Sequence, residues 1–271
     1  QVELVAQILL EHSPLVLTGA GMSTDSGIPD YRGPDGQRRV EPMQYAEFAG
    51  SSAARQRYWA RSFVGWQRFA SAGPNAGHLA LARLQSAGHV GAVITQNVDG
   101  LHQRAGTRDV VELHGALADV VCLTCEDRST RADLDDRMRE ANPGFVVDSR
   151  EIRPDGDVSL LHLDVERFTP PRCLVCTADT LKPDVVFFGE SVPKHRVERC
   201  FALIEQADAL LVLGSSLKVM SGLRFVRRAA ARRIPIVVIT HHLSRGDDLA
   251  TLHLRAGLSP ALGELADLLG A

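Results

Sequence analysis

Short apolar runs rich in valine, isoleucine and leucine alternate along the chain with segments of helical periodicity. Continuous apolar runs of this length are typical of strands buried on both faces of a parallel sheet. The strand candidates are residues 15–17, 90–94, 209–213 and 234–239, and the helix candidates include residues 76–87, 193–207 and 222–233. The alternation predicts an α/β fold with a doubly wound, Rossmann-like parallel sheet. Because ligands bind beyond the carboxyl ends of such strands, we expect the polar clusters that follow the runs to converge on one site.

Two segments break this alternation. Residues 37–76 are polar with a helical pattern, and residues 119–180 hold four paired cysteines around an irregular, charged middle. We interpret both as insertions that form a smaller second domain. The predicted large domain comprises residues 1–36, 77–118 and 181–271, and the small domain combines the helical insertion 37–76 with the cysteine-bearing module 119–180.

Composition narrows the function classes. The chain has 271 residues with 45% hydrophobic content, which suits one large domain with an inserted module. Its net charge of −3 leaves no electrostatic footprint for nucleic acid or an anionic membrane, so we expect neither as a partner. Five cysteines in a chain without a signal-peptide pattern favour metal ligation over disulfides.

The first candidate site is the glycine-rich stretch 18–33. Glycines directly after a buried strand allow the backbone to approach a pyrophosphate closely. The dehydrogenase fingerprint does not fit, because the third glycine is Gly27 rather than a glycine at position 24. On glycine spacing alone, a structural turn between strand and helix stays an alternative, and the continuation SGIPDYR is the more specific signal.

The second candidate site follows the predicted strand that ends at residue 94. Asn97 and Asp99 carry side chains that can hydrogen-bond a ribose or a carboxamide. Any single histidine of the ten is more often a packing or surface residue than a catalyst. His114 differs because it follows a short β-like run and precedes a glycine, and a neutral histidine is the usual general base near neutral pH.

Taken together, these segments resemble the sirtuins, a family of NAD-dependent protein deacylases. The matching stretches are GAGMSTDSGIPDYRG, TQNVDGLHQRAG, ELHG, the two cysteine pairs, LKPDVVFFGE and GSSLKV. They occur in family order and cover nearly the whole chain. The stretches DYRG, RQRYWARSFVGW and LKPDVVFFGE are most similar to class II, which includes bacterial and mitochondrial members.

The resemblance implies an enzyme that removes the acyl group from a lysine and consumes NAD as a co-substrate. The products would be the free lysine, nicotinamide and O-acyl-ADP-ribose. His114 would be the general base, with Asn97 and Asp99 as the other catalytic residues. The expected NAD contacts are Gly19, Ala20, Gly21, Ser23, Asp30, Tyr31, Arg32, Gln96, Asn97, Asp99, Gly214, Ser215, Ser216, Thr240, His241, His242 and Leu258. Thr240 stands where the family usually has an asparagine that touches the adenosine ribose.

Two other functions use the same residues. A protein mono-ADP-ribosyltransferase would share the NAD site and His114, but would place ADP-ribose on a protein side chain. A non-catalytic NAD-binding regulator is disfavoured because His114, Asn97 and Asp99 are all present. For the deacylase we expect the cytoplasm in a bacterium, or the mitochondrial matrix in a eukaryote, and a monomer is plausible.

The cysteines fit the same family. The pairs Cys122/Cys125 and Cys173/Cys176 have the spacing of knuckles in a tetrahedral four-thiolate zinc site. Because four thiolates leave no open coordination position, the one Zn²⁺ per chain should be structural. Cys200 lies in a helical pattern and is most simply a buried small residue.

The acylated substrate should bind as a strand between residues 185–190 and 216–220, a form of β-augmentation. The residues expected to contact it are Val185, Phe187, Gly189, Glu190, Tyr58 and Arg61. Tyr58 and Arg61 lie three positions apart on one helix face, a pair that marks sirtuins accepting acidic acyl groups such as succinyl. The alternative is that Tyr58 packs in the small domain and Arg61 forms a structural ion pair.

Overall fold

A computed structural model of the protein describes residues 1–31, 41–147, 156, 158, 160 and 162–271. The strands are β1 Leu15–Thr18, β2 Val93–Thr95, β3 Val110–Glu112, β4 Gly115–Cys122, β5 Arg128–Thr130, β6 Leu181–Val185, β7 Leu210–Leu213, β8 Ile236–Ile239 and β9 Leu252–Leu254. The α-helices are α1 Val2–Glu11, α2 Tyr45–Gly50, α3 Ser52–Ser71, α4 Ala76–Ser86, α5 Leu101–Arg104, α6 Arg131–Ala141, α7 His162–Arg167, α8 Lys194–Gln206, α9 Met220–Arg232 and α10 Leu258–Leu268. Short 3₁₀ helices cover Ala20–Met22, Thr24–Ser26 and Asp247–Leu249.

The chain forms two compact units. The first comprises the described parts of residues 1–37, 73–114 and 192–271, and the second those of residues 38–72 and 115–191. The second unit includes residues 115–118 and 181–191, which the sequence prediction assigned to the large domain. The reason is strand pairing, because β6 runs antiparallel beside β4, with Val121 opposite Lys182.

The first unit is built on a parallel sheet with the strand order β3-β2-β1-β7-β8-β9. Counted in chain order within this sheet, the order is the doubly wound 3-2-1-4-5-6, and the direction of winding reverses between β1 and β7. Strands β1, β7 and β8 are buried along their whole length, as continuous apolar runs predict. The predicted Rossmann-like fold class is confirmed.

Each face of this sheet carries its own core, because successive side chains in β1 point to opposite faces. Val16 packs with Leu81 of α4 and Leu262 of α10. Leu15 and Leu17 belong to the other cluster, which contains residues from α8 and α9, among them Cys200, Ile204, Phe225 and Val226. Within the described residues, helices cover both faces of this sheet, so we expect a ligand at the strand ends.

The second unit contains an antiparallel sheet, β5-β4-β6, and the long helix α3. Trp59 of α3 is buried, and its indole Nε1 donates a hydrogen bond of 3.0 Å to the carbonyl oxygen of Leu181. The buried Arg131 guanidinium lies over the Trp66 ring, 4.6 Å from its centroid, and pairs with Asp135 at 3.1 Å. The aromatic residues of α3 therefore form much of this unit's core.

Within the described residues, no helix has the length and apolar content that crossing a membrane would require.

Candidate NAD and zinc sites

Two glycine-containing loops cross at the point where the sheet reverses. Gly19 follows β1 and Gly214 follows β7, and the Gly21 amide donates to the Gly214 carbonyl oxygen at 2.9 Å. A Cβ atom on Gly21 would lie 2.9 Å from that oxygen, and one on Gly19 would lie 2.8 Å from Cβ of Ser215. Both contacts are closer than real side chains adopt, so this crossing requires glycine. The loops thereby present bare backbone at the switch point, where a dinucleotide phosphate binds in folds of this type.

A polar cluster stands beside this crossing. Ser23 Oγ donates a hydrogen bond of 2.7 Å to Asp99 Oδ2, and Asn97 Nδ2 donates to Ser23 Oγ at 3.0 Å. The other Asp99 oxygen accepts from the Leu101 amide at 3.0 Å and caps the turn before α5. The structure thus brings together three predicted site residues from two strand ends and fixes the Asp99 carboxylate.

Gln96 connects the end of β2 to the loop after β7. Its Nε2 donates to Ser215 Oγ at 2.8 Å and to the Thr18 carbonyl oxygen at 3.2 Å. Gly222 of α9 lies against the same side chain, since a Cβ there would be 2.6 Å from Gln96 Oε1. Gln96 therefore ties together segments that are far apart in sequence.

His114 is half-buried directly after β3, and both of its ring nitrogens are engaged. Nδ1 lies 2.9 Å from the Gln96 carbonyl oxygen, and Nε2 lies 2.8 Å from Ser221 Oγ. Because a carbonyl oxygen can only accept, Nδ1 carries the proton and Nε2 keeps its lone pair. Burial lowers the pKa of His114, and the positive charges of Arg196 and Arg224 lower it further, against the raising effect of the Gln96 carbonyl. The His114 ring is therefore neutral at neutral pH.

A buried hydrogen-bond chain lies behind these residues, and the sequence analysis did not identify it. His102 Nε2 contacts Thr18 Oγ1 at 2.9 Å, and Thr18 Oγ1 donates to Thr95 Oγ1 at 2.8 Å. Thr95 Oγ1 also accepts from the Asn97 amide at 3.1 Å, which fixes the start of the polar loop. Burial and the neighbouring His78 lower the pKa of His102 to about 3, so this ring is neutral.

The other predicted NAD contacts are spread around the same strand ends. Leu258 is buried at the start of α10, and its Cδ1 would lie 2.7 Å from a Cβ on Gly214. Thr240 is buried after β8, and its hydroxyl donates to the His242 carbonyl oxygen. Four further predicted contacts are half-buried, namely Ala20, Asp30, Tyr31 and Ser216. His241 and His242 are exposed, and Arg32 lies outside the described residues.

In the second unit, the predicted substrate residues lie along a fixed turn after β6. Glu190 accepts from the Phe187 amide at 2.8 Å and pairs with the buried Lys182 at 3.1 Å. Gly189 between them has φ +81°, which favours glycine, and Val185 closes β6. This turn stays in place because the Tyr45 amide donates to the Phe188 carbonyl oxygen at 2.9 Å.

Tyr58 and Arg61 both lie on α3. The Tyr58 ring is buried between those of Phe48 and Phe187, with centroids 5.3 Å away in each case. Arg61 is half-buried one turn further along the helix. Tyr58 thus serves the aromatic core of its unit and also touches Phe187, a predicted substrate residue.

The four paired cysteines converge in the second unit. Sγ of Cys122 lies 3.6 Å from that of Cys176, Cys125 and Cys173 are equally close, and all four sulfur atoms lie within 4.8 Å of one another. Tetrahedral Zn²⁺ with bonds of about 2.3 Å needs sulfur atoms ~3.8 Å apart, so this geometry fits zinc.

Both cysteine turns share one backbone design. Each is followed by a residue with positive φ, Glu126 at +63° and Thr177 at +60°. The Glu126 amide donates to the Cys122 carbonyl oxygen at 2.9 Å, and the Thr177 amide to that of Cys173 at 3.1 Å. Two equivalent knuckles therefore present their thiolates to one point.

Comparison with known proteins agrees with this architecture. The sequence model of the Sir2 family matches residues 19–221. NAD-dependent protein deacetylase 1 of Streptomyces coelicolor is 52% identical over 267 residues, which cover 98% of this chain and 89% of that protein. A protein of the same name from Mycobacterium avium is 50% identical over 270 residues, which cover 98% and 94%. A solved Sir2 complex with a p53 peptide and NAD⁺ aligns with a TM-score of 0.80 at 29% identity, covering 100% of this chain and 99% of that one.

The chain belongs to the Sir2 family, the sirtuins, and the resemblance found in the sequence is confirmed.

Proposed function

We propose that this protein is an NAD-dependent protein deacylase, which transfers an acyl group from lysine to the ADP-ribose part of NAD. The observation that carries this proposal is the state of His114, a neutral imidazole with Nδ1 tied to the Gln96 carbonyl oxygen and Nε2 kept as a proton acceptor. The names of the relatives from Streptomyces and Mycobacterium support the same activity.

The loop crossing supports NAD as the co-substrate. Gly19, Gly21 and Gly214 let the loops after β1 and β7 pack backbone against backbone at the switch point, where a pyrophosphate binds in this type of fold. The Asp99 carboxylate, fixed by Ser23 and the Leu101 amide, is suited to accept hydrogen bonds from ribose hydroxyls. His114 then takes the proton from a ribose hydroxyl, and the other residues hold the reacting groups in position.

The second unit supports an acylated peptide as the other substrate. An extended peptide would add as a strand along the segment from Val185 to Glu190, which follows β6 and is held in place by Glu190 and Tyr45. Tyr58 lies against Phe187 beside this turn, which agrees with a role in the choice of acyl group as well as with simple packing. Arg61 supplies the cation that an acidic acyl chain would need.

The zinc ion would be held by Cys122, Cys125, Cys173 and Cys176, and its role would be to stabilise the fold of the second unit. All four ligands are thiolates, so the ion has no coordination position left for a substrate. The bacterial relatives support the cytoplasm as the compartment, where thiols stay reduced.

The His114→Ala variant tests the proposed function. With NAD and acetyl-lysine or succinyl-lysine peptides, we expect nicotinamide release to fall by about 100-fold or more, because a general base contributes on that order. Calorimetry should show NAD binding retained. A matched His195→Ala variant changes an exposed histidine of α8 and should keep wild-type activity. Unchanged turnover in His114→Ala would contradict the assigned base, and NAD binding without any turnover in the wild type would favour a non-catalytic regulator.

A further inference from the structure

Ser221 is buried in the first turn of α9, and its hydroxyl oxygen lies 2.8 Å from His114 Nε2. The Nδ1 proton of His114 is already donated to the Gln96 carbonyl oxygen, so Nε2 of the neutral ring can only accept. Ser221 is therefore the donor in this contact. Its hydroxyl occupies the same lone pair that a base uses to take up a proton.

The position of Ser221 relative to the base is fixed by neighbouring contacts. Gly222 lies tightly against the Gln96 side chain, where a Cβ would come within 2.6 Å of Oε1. Leu223, the next residue, is buried in the core beneath β7 and β8. The start of α9 therefore touches both Gln96 and His114, and these contacts place the Ser221 side chain beside Nε2.

The charges around His114 make its protonation costly. Arg196 of α8 and Arg224 of α9 both act on the ring as positive charges, and burial acts in the same direction on its pKa. A hydroxyl is a neutral group that can serve the ring before and after proton transfer, because it donates to the neutral imidazole and, after rotating, accepts from the imidazolium. The second bond is charge-assisted and therefore the stronger of the two.

We propose that Ser221 is a positioning residue for the deacylation reaction: it holds Nε2 of His114 in place as the base and stabilises the imidazolium that forms when this base takes up a proton. This inference rests on the proposed function, because the proton comes from a substrate hydroxyl. In this step the Ser221 O–H rotates away from Nε2, and the substrate hydroxyl gives its proton to the freed lone pair while its oxygen keeps the bonding electrons. The new N–H of the imidazolium then donates to the oxygen of Ser221.

The test compares Ser221→Ala with Ser221→Thr, which keeps the hydroxyl, and with Ser71→Ala, an exposed serine of α3. In Ser221→Ala we expect kcat to fall about 10-fold, as for the loss of one charge-assisted hydrogen bond, while KM for NAD and for the peptide stays within about twofold. Ser221→Thr should recover most of the rate, and Ser71→Ala should match the wild type. Ser221→Cys, nearly isosteric but a weak hydrogen-bonding group, should behave like the alanine variant.

NMR titration of the His114 ring, without NAD or peptide, provides a second readout. Since Ser221 favours the charged ring more than the neutral one, the His114 pKa should fall in Ser221→Ala and return towards the wild-type value in Ser221→Thr. An unchanged kcat in Ser221→Ala, or a loss that Ser221→Thr does not recover, would overturn the proposal. Identical titration curves of His114 in the wild type and in Ser221→Ala would also overturn it. If the wild type releases no nicotinamide with any acyl peptide, the proposed function fails instead, and the titration still decides whether Ser221 acts on His114.

Discussion

At the scale of single residues, two positions in the loop after β1 have no room for a side chain. Gly19 and Gly21 have no room for a Cβ because the backbone of Gly214, almost two hundred positions later, packs against them. The spacing of glycines along one loop cannot predict that contact. The same holds for Ser221, whose partner His114 lies 107 positions earlier. The sequence motifs identified His114, Asp99 and Ser23, whereas the contact of Ser221 with His114 became visible only in three dimensions.

His102 provides a stability test at this scale. In the folded chain the pKa of His102 is lowered from 6.5 to about 3. Between these two pH values the unfolded chain therefore binds a proton at this residue that the folded chain does not bind. The contribution of His102 to the free energy of unfolding should be complete above pH 6.5. Below that pH it should decline by about 1.4 kcal/mol per pH unit. Urea unfolding at pH 7.5 and pH 5 measures the decline.

The His102→Gln variant should show a flatter pH dependence than the wild type, although it is less stable at pH 7.5 because Gln fills the buried site poorly. His195→Gln, on the surface of α8, is the matched control and should keep the wild-type dependence. Equal slopes in the wild type and His102→Gln would mean that the buried ring is not the source of the acid sensitivity.

At the scale of elements, the apolar runs located the central strands and missed the weak ones. β1, β7 and β8 are each buried throughout, and the continuous hydrophobic signal identified them. β9 has only three residues, two of them half-buried, so its signal is too short to stand out. β6 was assigned to the large domain because its sequence gives no sign that its partner is β4, which is formed some sixty residues earlier.

The two cysteine knuckles also provide a prediction at this scale. Metal analysis of the purified protein should find one zinc per chain, and Cys173→Ser should lose it, with a lower thermal unfolding midpoint, because zinc binding contributes to folding free energy. Cys200→Ser is the matched control, since Cys200 is buried in α8 with no part in the cluster. A full zinc complement in Cys173→Ser would rule out the four-thiolate site.

At the scale of the whole molecule, the doubly wound sheet explains why motifs scattered along the chain serve one site. The loops after β1, β2 and β7 meet where the sheet reverses direction, and the order of the strands dictates that meeting. The sequence predicted this architecture and the family. It could not predict the acyl group, because Tyr58 belongs at once to an aromatic core and to the neighbourhood of Phe187.

The most direct test of the account is a mass balance. Wild-type protein is incubated with NAD and an acetyl-lysine or succinyl-lysine peptide, and mass spectrometry counts nicotinamide, free-lysine peptide and ADP-ribose carrying the acyl group. The account predicts the three products in a 1:1:1 ratio for the preferred peptide, all greatly reduced in His114→Ala. Nicotinamide released with ADP-ribose attached to a protein side chain, and the peptide still acylated, would contradict it and identify an ADP-ribosyltransferase.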